Sequence, residues 1–232
     1  TEEDYFLREK VEDIVWHTEA ISQHVDSSVP LILLKESGDL QFEGATQIFI
    51  HTQQKDSLFA IAASALEQLN LSIQDARIYS SGSGFTLDTF FVLDSNGEPI
   101  GNDPERIDEI QSVLMEHLIN TDSSLDIMQC RTPRQMRLFS VPTRTTLFTD
   151  VAGGHSVLEV LTPDRPGLLA RIGKIFLDYD IKLLNAKIAT LGESVDDVFF
   201  ITDNNHQPIN DPALCESIQN AICKELDEQA AA

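Results

Sequence analysis

The sequence predicts an α+β fold made twice: two tandem ferredoxin-like two-layer sandwiches, each a βαββα unit with an additional preceding strand, plus an N-terminal helix. Three observations predict it. A series of strand, helix, strand, strand and helix signals in residues 29–120 occurs again in residues 141–228. The two copies align residue by residue, as a tandem duplication does. Each copy carries two amphipathic helices, which bury their apolar faces only by sharing one face of the sheet that the strands form.

The elements follow in order. Residues 1–28 read as a helical lead-in, with Phe6, Val11, Ile14, Val15, Ile21 and Val25 near helical spacing between charged residues. This abrupt acidic start suggests a region of something longer. In the first unit a strand at Val29–Leu34 and the turn glycines Gly38 and Gly44 precede a strand at Gln47–Thr52. A helix carrying Leu58, Ala62, Ala65, Leu66 and Leu69 leads to a strand at Leu71–Tyr79, and Thr86–Asp94 returns as another. Gly82 and Gly84 join two strands with no helix following, which is a hairpin turn and not a phosphate loop. Asp103 and Pro104 cap and open a helix with Ile107, Ile110, Leu114 and Leu118 on one face.

Shifted along the chain, Leu58-Phe59-Ala60 aligns with Leu168-Leu169-Ala170, Ala76 with Ala186, Phe90-Phe91 with Phe199-Phe200, Asp103-Pro104 with Asp211-Pro212, and Ile110, Leu114 and Leu118 with Ile218, Ile222 and Leu226. Val29-Pro30 matches Val141-Pro142, and residues 121–140 form the connection. A complete βαββαβ unit ends in a fourth strand, and none follows the closing helix of the second unit. The preceding strands, Leu31–Leu34 and Thr143–Phe148, are therefore expected to take that place.

Charge excludes some functions. With 16 basic and 38 acidic residues the net charge is −22, which repels nucleic acid and anionic membranes. RNA binding through a similar sandwich also lacks its basic, aromatic strand motif. Cys130, Cys215 and Cys223 show no paired spacing and read as reduced thiols of a cytoplasmic protein. The six histidines are scattered singly, without metal-ligand spacing. No apolar run approaches the roughly 20 residues of a membrane span, and no nucleophile–base pair suggests catalysis. Asp88, Asp196 and Asp197 flank strands and are expected to be solvated.

The stretch richest in function is Thr162-Pro163-Asp164-Arg165-Pro166-Gly167-Leu168-Leu169. A strand feeding proline and glycine at a helix start gathers unpaired backbone N–H groups at the positive helix end, an arrangement that suits a small anion. Asp164 beside it would take an ammonium group, so the corner can hold both ends of a free amino acid. Alternatively Asp164 caps the helix, with Pro166 and Gly167 only shaping the turn. The first unit reads Gln53-Gln54-Lys55-Asp56-Ser57 at this place, where Asp56 or Ser57 can cap the helix and a side chain obstructs close approach.

The Asp-Arg-Pro-Gly-Leu-Leu-Ala corner in a duplicated βαββα unit resembles the ACT domain, a small-molecule regulatory module. Tyr5-Phe6-Leu7-Arg8, Trp16-His17-Thr18, Asp26-Ser27-Ser28, Asp88-Thr89-Phe90-Phe91-Val92-Leu93 and the run from Arg165 to Phe176 together look like the C-terminal third of the bacterial bifunctional uridylyltransferase/uridylyl-removing enzymes. In that family one catalytic domain uridylylates the PII signal protein, an HD-type domain removes the UMP, and two ACT domains sense glutamine. The resemblance implies a cytoplasmic regulatory region of nitrogen metabolism that is not itself an enzyme and holds no cofactor. The parent enzyme would need a divalent metal and UTP. Its implied partners are glutamine or another small amino acid, PII through the full-length enzyme, and a second copy through the sheet edges. The implied ligand set is Asp164, Arg165, Pro166, Gly167 and Leu168, with Ser72, Asp75, Lys182 and Asn185 from the facing strands. The alternative is a structural ACT pair that packs domains without binding a ligand.

Overall fold

A computed structural model of the chain describes residues 2–26, 28–38, 42, 44–120, 141–150, 152–191 and 194–231. The expected connection at 121–140, with Cys130, lies outside the described residues. Two helices lead in, α1 (Glu2–Arg8) and α2 (Val11–Gln23), where the sequence predicts a single helical segment. The first unit holds β1 (Leu31–Glu36), β2 (Thr46–Gln53), α3 (Leu58–Gln68), β3 (Ser72–Ser80), β4 (Phe85–Leu93) and α4 (Pro104–Ile119). The second holds β5 (Arg144–Asp150), β6 (His155–Pro163), α5 (Leu168–Asp178), β7 (Lys182–Lys187), the short β8 (Thr190–Leu191), β9 (Ser194–Thr202) and α6 (Pro212–Ala231).

The strands form one sheet in the order β1-β2-β4-β3-β7-β9-β6-β5, with β8 paired to β9. As expected, β1 and β5 take the place of the fourth strand in the sheet: each pairs antiparallel with the next strand of its unit, β2 and β6, and forms an outer edge. The inner edges, β3 and β7, pair with each other, and Ala76 lies opposite Ala186. These two positions are equivalent in the duplication, so a local twofold passes between them. Helices α3 and α5 cross above this strand seam. A Cβ built on Gly173 would lie 2.9 Å from Ala60 Cβ and 3.0 Å from Ala60 Cα, so the crossing requires a residue without a side chain.

Local chemistry is repeated in both copies. After α3 and α5 the chain turns at Asn70 (φ 56°) and Asp180 (φ 54°). Leu71 and Ile181 then donate back to Leu66 and Phe176 at 2.9 and 2.8 Å, a helix stop that uses short polar residues in the left-handed region. Asp103 caps α4 through the Glu105 amide at 3.1 Å, and Asp211 accepts from the Ala213 amide at 3.0 Å. The core is continuous through both units: Ile48, Phe90, Ile110 and Leu114 of the first and Leu158, Phe199, Ile218 and Ile222 of the second are fully buried in one cluster.

The opposite sheet face distinguishes the units. Over the first, the lead-in helices bury it: the His17 ring stacks on Phe49 with centroids 3.7 Å apart, and Tyr5 Oη bonds His17 Nδ1 at 2.8 Å. Arg77 donates to Glu9 and to Asp75, each at 3.2 Å, and Tyr79 Oη donates to Glu9 at 3.0 Å. Burial pushes the His17 pKa down to about 4 and raises those of Glu9 and Asp75. The corresponding face of the second unit has no such cover among the described residues, and Phe148 and Leu161 there are exposed.

Candidate functional site

Strand pairing at the seam sets the loop before the first helix of each unit against the start of a strand in the other. Two hollows result, one on each side of the twofold. The smaller, of about 370 Å³, lies between Asp164, Arg165, Pro166, Gly167 and Leu168 and the facing Leu71, Ser72 and Ile73, with Ala63 and Glu67 of α3 as a wall. The larger, of about 600 Å³, lies between Lys55, Asp56, Leu58 and Phe59 and the facing Ile181–Leu184, with Asp88 and Thr86 of β4 also lining it.

The smaller hollow contains the predicted corner, with a different division of labour. Gly167 is the residue before α5, at φ 77°, a left-handed conformation that glycine adopts without strain. No side chain within the loop caps the helix, so Asp164 is not the cap; it is exposed at the rim. The Gly167 amide instead donates to Glu67 Oε1 of the other unit. The anion expected at this helix start is thus supplied by the protein itself. Burial raises the Glu67 pKa, while the Gly167 amide and Arg171 pull it down and Asp164 pushes it up. Arg165 is buried and touches the hollow, but its Nη1 donates to the Leu226 carbonyl in α6. Lys55, its equivalent, does the same to Leu118 at 2.9 Å, so this basic residue pins the closing helix in both copies. Pro166 is exposed at the edge, Leu168 is core, and Ser72 faces the loop from β3.

The remaining predicted residues are spread elsewhere. Lys182 lines the larger hollow, where it pairs with Asp56 of the other unit. Asp56 bonds Lys182, and neither it nor Ser57 caps α3 through its side chain, contrary to the expectation. Asp75 and Asn185 line neither hollow. A bulge at Ile73/Asp75 and another at Leu183/Asn185 displace the alternation, and both side chains meet under the seam. There Asn185 Nδ2 donates to the Ala76 carbonyl at 2.9 Å and lies 3.4 Å from Asp75 Oδ1.

Three further acidic residues, Glu67, Asp88 and Asp197, stand at or near the hollows. Glu67 stands where the second copy has Leu177, and that break in the repeat was the available signal. Asp88 and Asp197 occupy equivalent strand positions and are fully buried, which overturns the expectation that both are solvated; Asp196 is exposed as expected. Burial drives the pKa of each up to about 7. The signal was an acid retained in both copies within an apolar strand.

No helix among the described residues is long and apolar enough to cross a membrane, and no group of three or more His, Cys, Asp or Glu among them could hold a metal ion.

Comparison with known proteins agrees with the fold. Residues 156–214 match the ACT domain family. The chain is 52% identical to the bifunctional uridylyltransferase/uridylyl-removing enzyme of Stutzerimonas stutzeri over 98% of its own length and 25% of that protein. It is 53% identical to the Pseudomonas aeruginosa enzyme and 54% identical to that of Azotobacter vinelandii, in each case over 97% of this chain and 25% of the relative. The chain therefore spans about a quarter of the length of these relatives, less than the third that the sequence resemblance implies. It carries an ACT domain and, over nearly its whole length, is similar to a quarter-length region of the bifunctional uridylyltransferase/uridylyl-removing enzymes.

Proposed function

We propose that this chain is a regulatory amino-acid sensor, with glutamine as the ligand that the resemblance favours, and that the smaller hollow is its binding site. The observation that carries the reading is the Gly167 amide: it opens into a hollow between the units, and its partner is a carboxylate from the other unit. A free amino acid would set its own carboxylate there in place of Glu67 and its ammonium group against Asp164. Exchange of Glu67 for a ligand would alter how the units pack, and differential binding between two packings, typically about 1–3 kcal/mol, is what a regulatory region transmits. In a protein of this family the signal would set the balance between uridylylation of PII and its reversal.

Calorimetric titration of the chain with glutamine, glutamate and alanine tests this reading. Glutamine is expected to bind best, at least tenfold more weakly in Asp164→Ala and more tightly in Glu67→Gln. Unchanged affinity in both variants would move the site elsewhere. The second reading, a structural pair, draws on the β3–β7 pairing and the α3–α5 crossing, which join the units without a ligand. Failure of every amino acid to bind or to raise the melting temperature would favour it.

A further inference from the structure

The strand that joins the units also holds the lead-in helices. The β3–β7 ladder pairs Asp75 with Lys187, Ala76 with Ala186 and Arg77 with Asn185. With their side chains, Asp75 and Arg77 build the anchor for Glu9, which lies between α1 and α2. The same two residues thus serve the seam through their backbone and the helices through their side chains.

A buried path connects the two. Asn185 Nδ2 of the second unit lies 3.4 Å from Asp75 Oδ1, Arg77 Nε donates to Asp75 Oδ2 at 3.2 Å, and Arg77 Nη1 donates to Glu9 Oε2 at 3.2 Å. Tyr79 Oη donates to the other Glu9 oxygen at 3.0 Å, its ring meets that of Tyr5 edge-on with centroids 5.4 Å apart, and Tyr5 Oη bonds His17 Nδ1 of α2 at 2.8 Å. The Glu9 and Asp75 side chains are 0% and 2% exposed, so each depends on Arg77 for its charge partner. The guanidinium is planar, with its donors in a fixed fork, and its Cζ sits 4.7 Å from the centre of the Phe91 ring. It spans both acids only while strand and helix keep this spacing.

The remaining contact under α2 is weakly held. The helix buries Asp13 and His17 and exposes Val11 and Val15, the reverse of an ordinary amphipathic helix. Around Phe49, on which His17 stacks, His17 Nε2, Gln47 Nε2 and Thr89 Oγ1 are buried with no hydrogen-bond partner among the described residues. Each such atom disfavours the closed arrangement. An element held in this way opens more readily than the core.

We propose that α1 and α2 form a latch set by the seam: they hold the outer face of the first unit while β3 and β7 keep this pairing, and let go when the pairing shifts and Arg77 loses its grip on Glu9. The latch goes beyond the sensor reading, because it needs no ligand and gives any change in unit packing an outlet on the opposite side of the sheet. Such coupling is reciprocal, so whatever loosens the helices loosens the seam.

The test is amide hydrogen exchange of the whole chain, without added amino acid, read by mass spectrometry. Asn185→Ala removes the bonds to Asp75 and to the Ala76 carbonyl and touches neither helix. Residues 5–23 should then exchange at least about tenfold faster, while α4 changes less than about threefold. Arg77→Lys, which keeps the charge and loses the fork, should free the helices as much. The two substitutions together should add little beyond either alone, as members of one network do. Glu9→Gln, made on the helix side, should speed exchange in residues 182–188. Unchanged exchange of residues 5–23 in Asn185→Ala, an equal rise in α4, or fully multiplicative effects in the double variant would overturn the latch. Since no amino acid is present, a failed glutamine titration leaves the latch standing, and lead-in helices that stay closed leave the sensor reading standing.

Discussion

The two units share a scaffold and differ at their surfaces. Lys55 and Arg165 pin the closing helices alike, and Gln111 and Gln219 reach back to the Ile32 and Thr145 carbonyls at 2.8 and 3.0 Å. Thr46 and Ser156 both accept an incoming amide, from Ile100 and Ile209, at 2.9 Å. The seam contacts are not repeated: Glu67 meets Gly167 on one side and Lys182 meets Asp56 on the other. The outer faces differ as well, one buried by the lead-in helices and the other without such cover among the described residues. After duplication, the contacts that define a unit were held in both copies, while those between units diverged into two unlike hollows.

The largest effect should come from the face that only the first unit covers. Arg77 holds two buried carboxylates, Glu9 and Asp75, whereas its equivalent Lys187 is exposed on the corresponding face of the second unit. Arg77→Met is expected to cost about 3–5 kcal/mol at neutral pH in chemical denaturation, because it strands buried charge. Lys187→Met should stay within about 0.5 kcal/mol. The Arg77→Met loss should shrink toward pH 5, where the stranded acids take up protons. Equal losses for the two variants would dissolve the contrast.

Next comes the crossing of α3 and α5. Gly173→Val should lower stability by about 1–3 kcal/mol through overpacking against the Ala60 backbone, read as a fall of about 2–4 °C in melting temperature per kcal/mol. Gly173→Ala should also destabilise, against its gain of about 1 kcal/mol in helix propensity. A stabilised Gly173→Ala would mean the helices are not in contact there.

The paired acids give a smaller, pH-dependent effect. Asp88 and Asp197 hold protons to about pH 7 in the folded chain, while the unfolded chain releases them near about pH 3.9. Between those values the folded state binds more protons, so their contribution to stability falls as pH rises. The Asp88→Asn, Asp197→Asn double variant should therefore lose less melting temperature than the parent between pH 5 and pH 8. His17, held neutral to about pH 4, acts in the opposite sense and is unchanged in both chains. Parallel curves would show that the two acids ionise freely.

The smallest effect belongs to the Lys182–Asp56 bridge. Asp56 is half exposed, so a double-mutant cycle should give less than about 1 kcal/mol, vanishing in high salt.

Much of the fold was legible in the residues. Turn glycines, caps such as Asp103 and Asp211, and apolar periods of two and 3.6 are local signals, and the repeat made each one count twice. The place of β1 and β5 could also be inferred, because an unfilled edge beside the first strand leaves apolar surface and ladder groups exposed. The site was legible only in part. Asp164–Leu168 could be read because a helix start announces itself in sequence. Ser72 and Lys182 lie in the hollows, but Asp75 and Asn185 do not, since a bulge in each strand shifts which side chains share a face.

By itself, the sequence determined a doubled α+β scaffold, its element order, and a glycine corner at the start of a helix. Which group meets that corner was decided by the tertiary structure. Glu67 is a hundred residues from Gly167 along the chain, and only the pairing of Ala76 with Ala186 and the Ala60–Gly173 crossing bring them together. The same packing sealed Asp88 and Asp197 from water, and an acid's charge state follows its solvation, which no local pattern encodes.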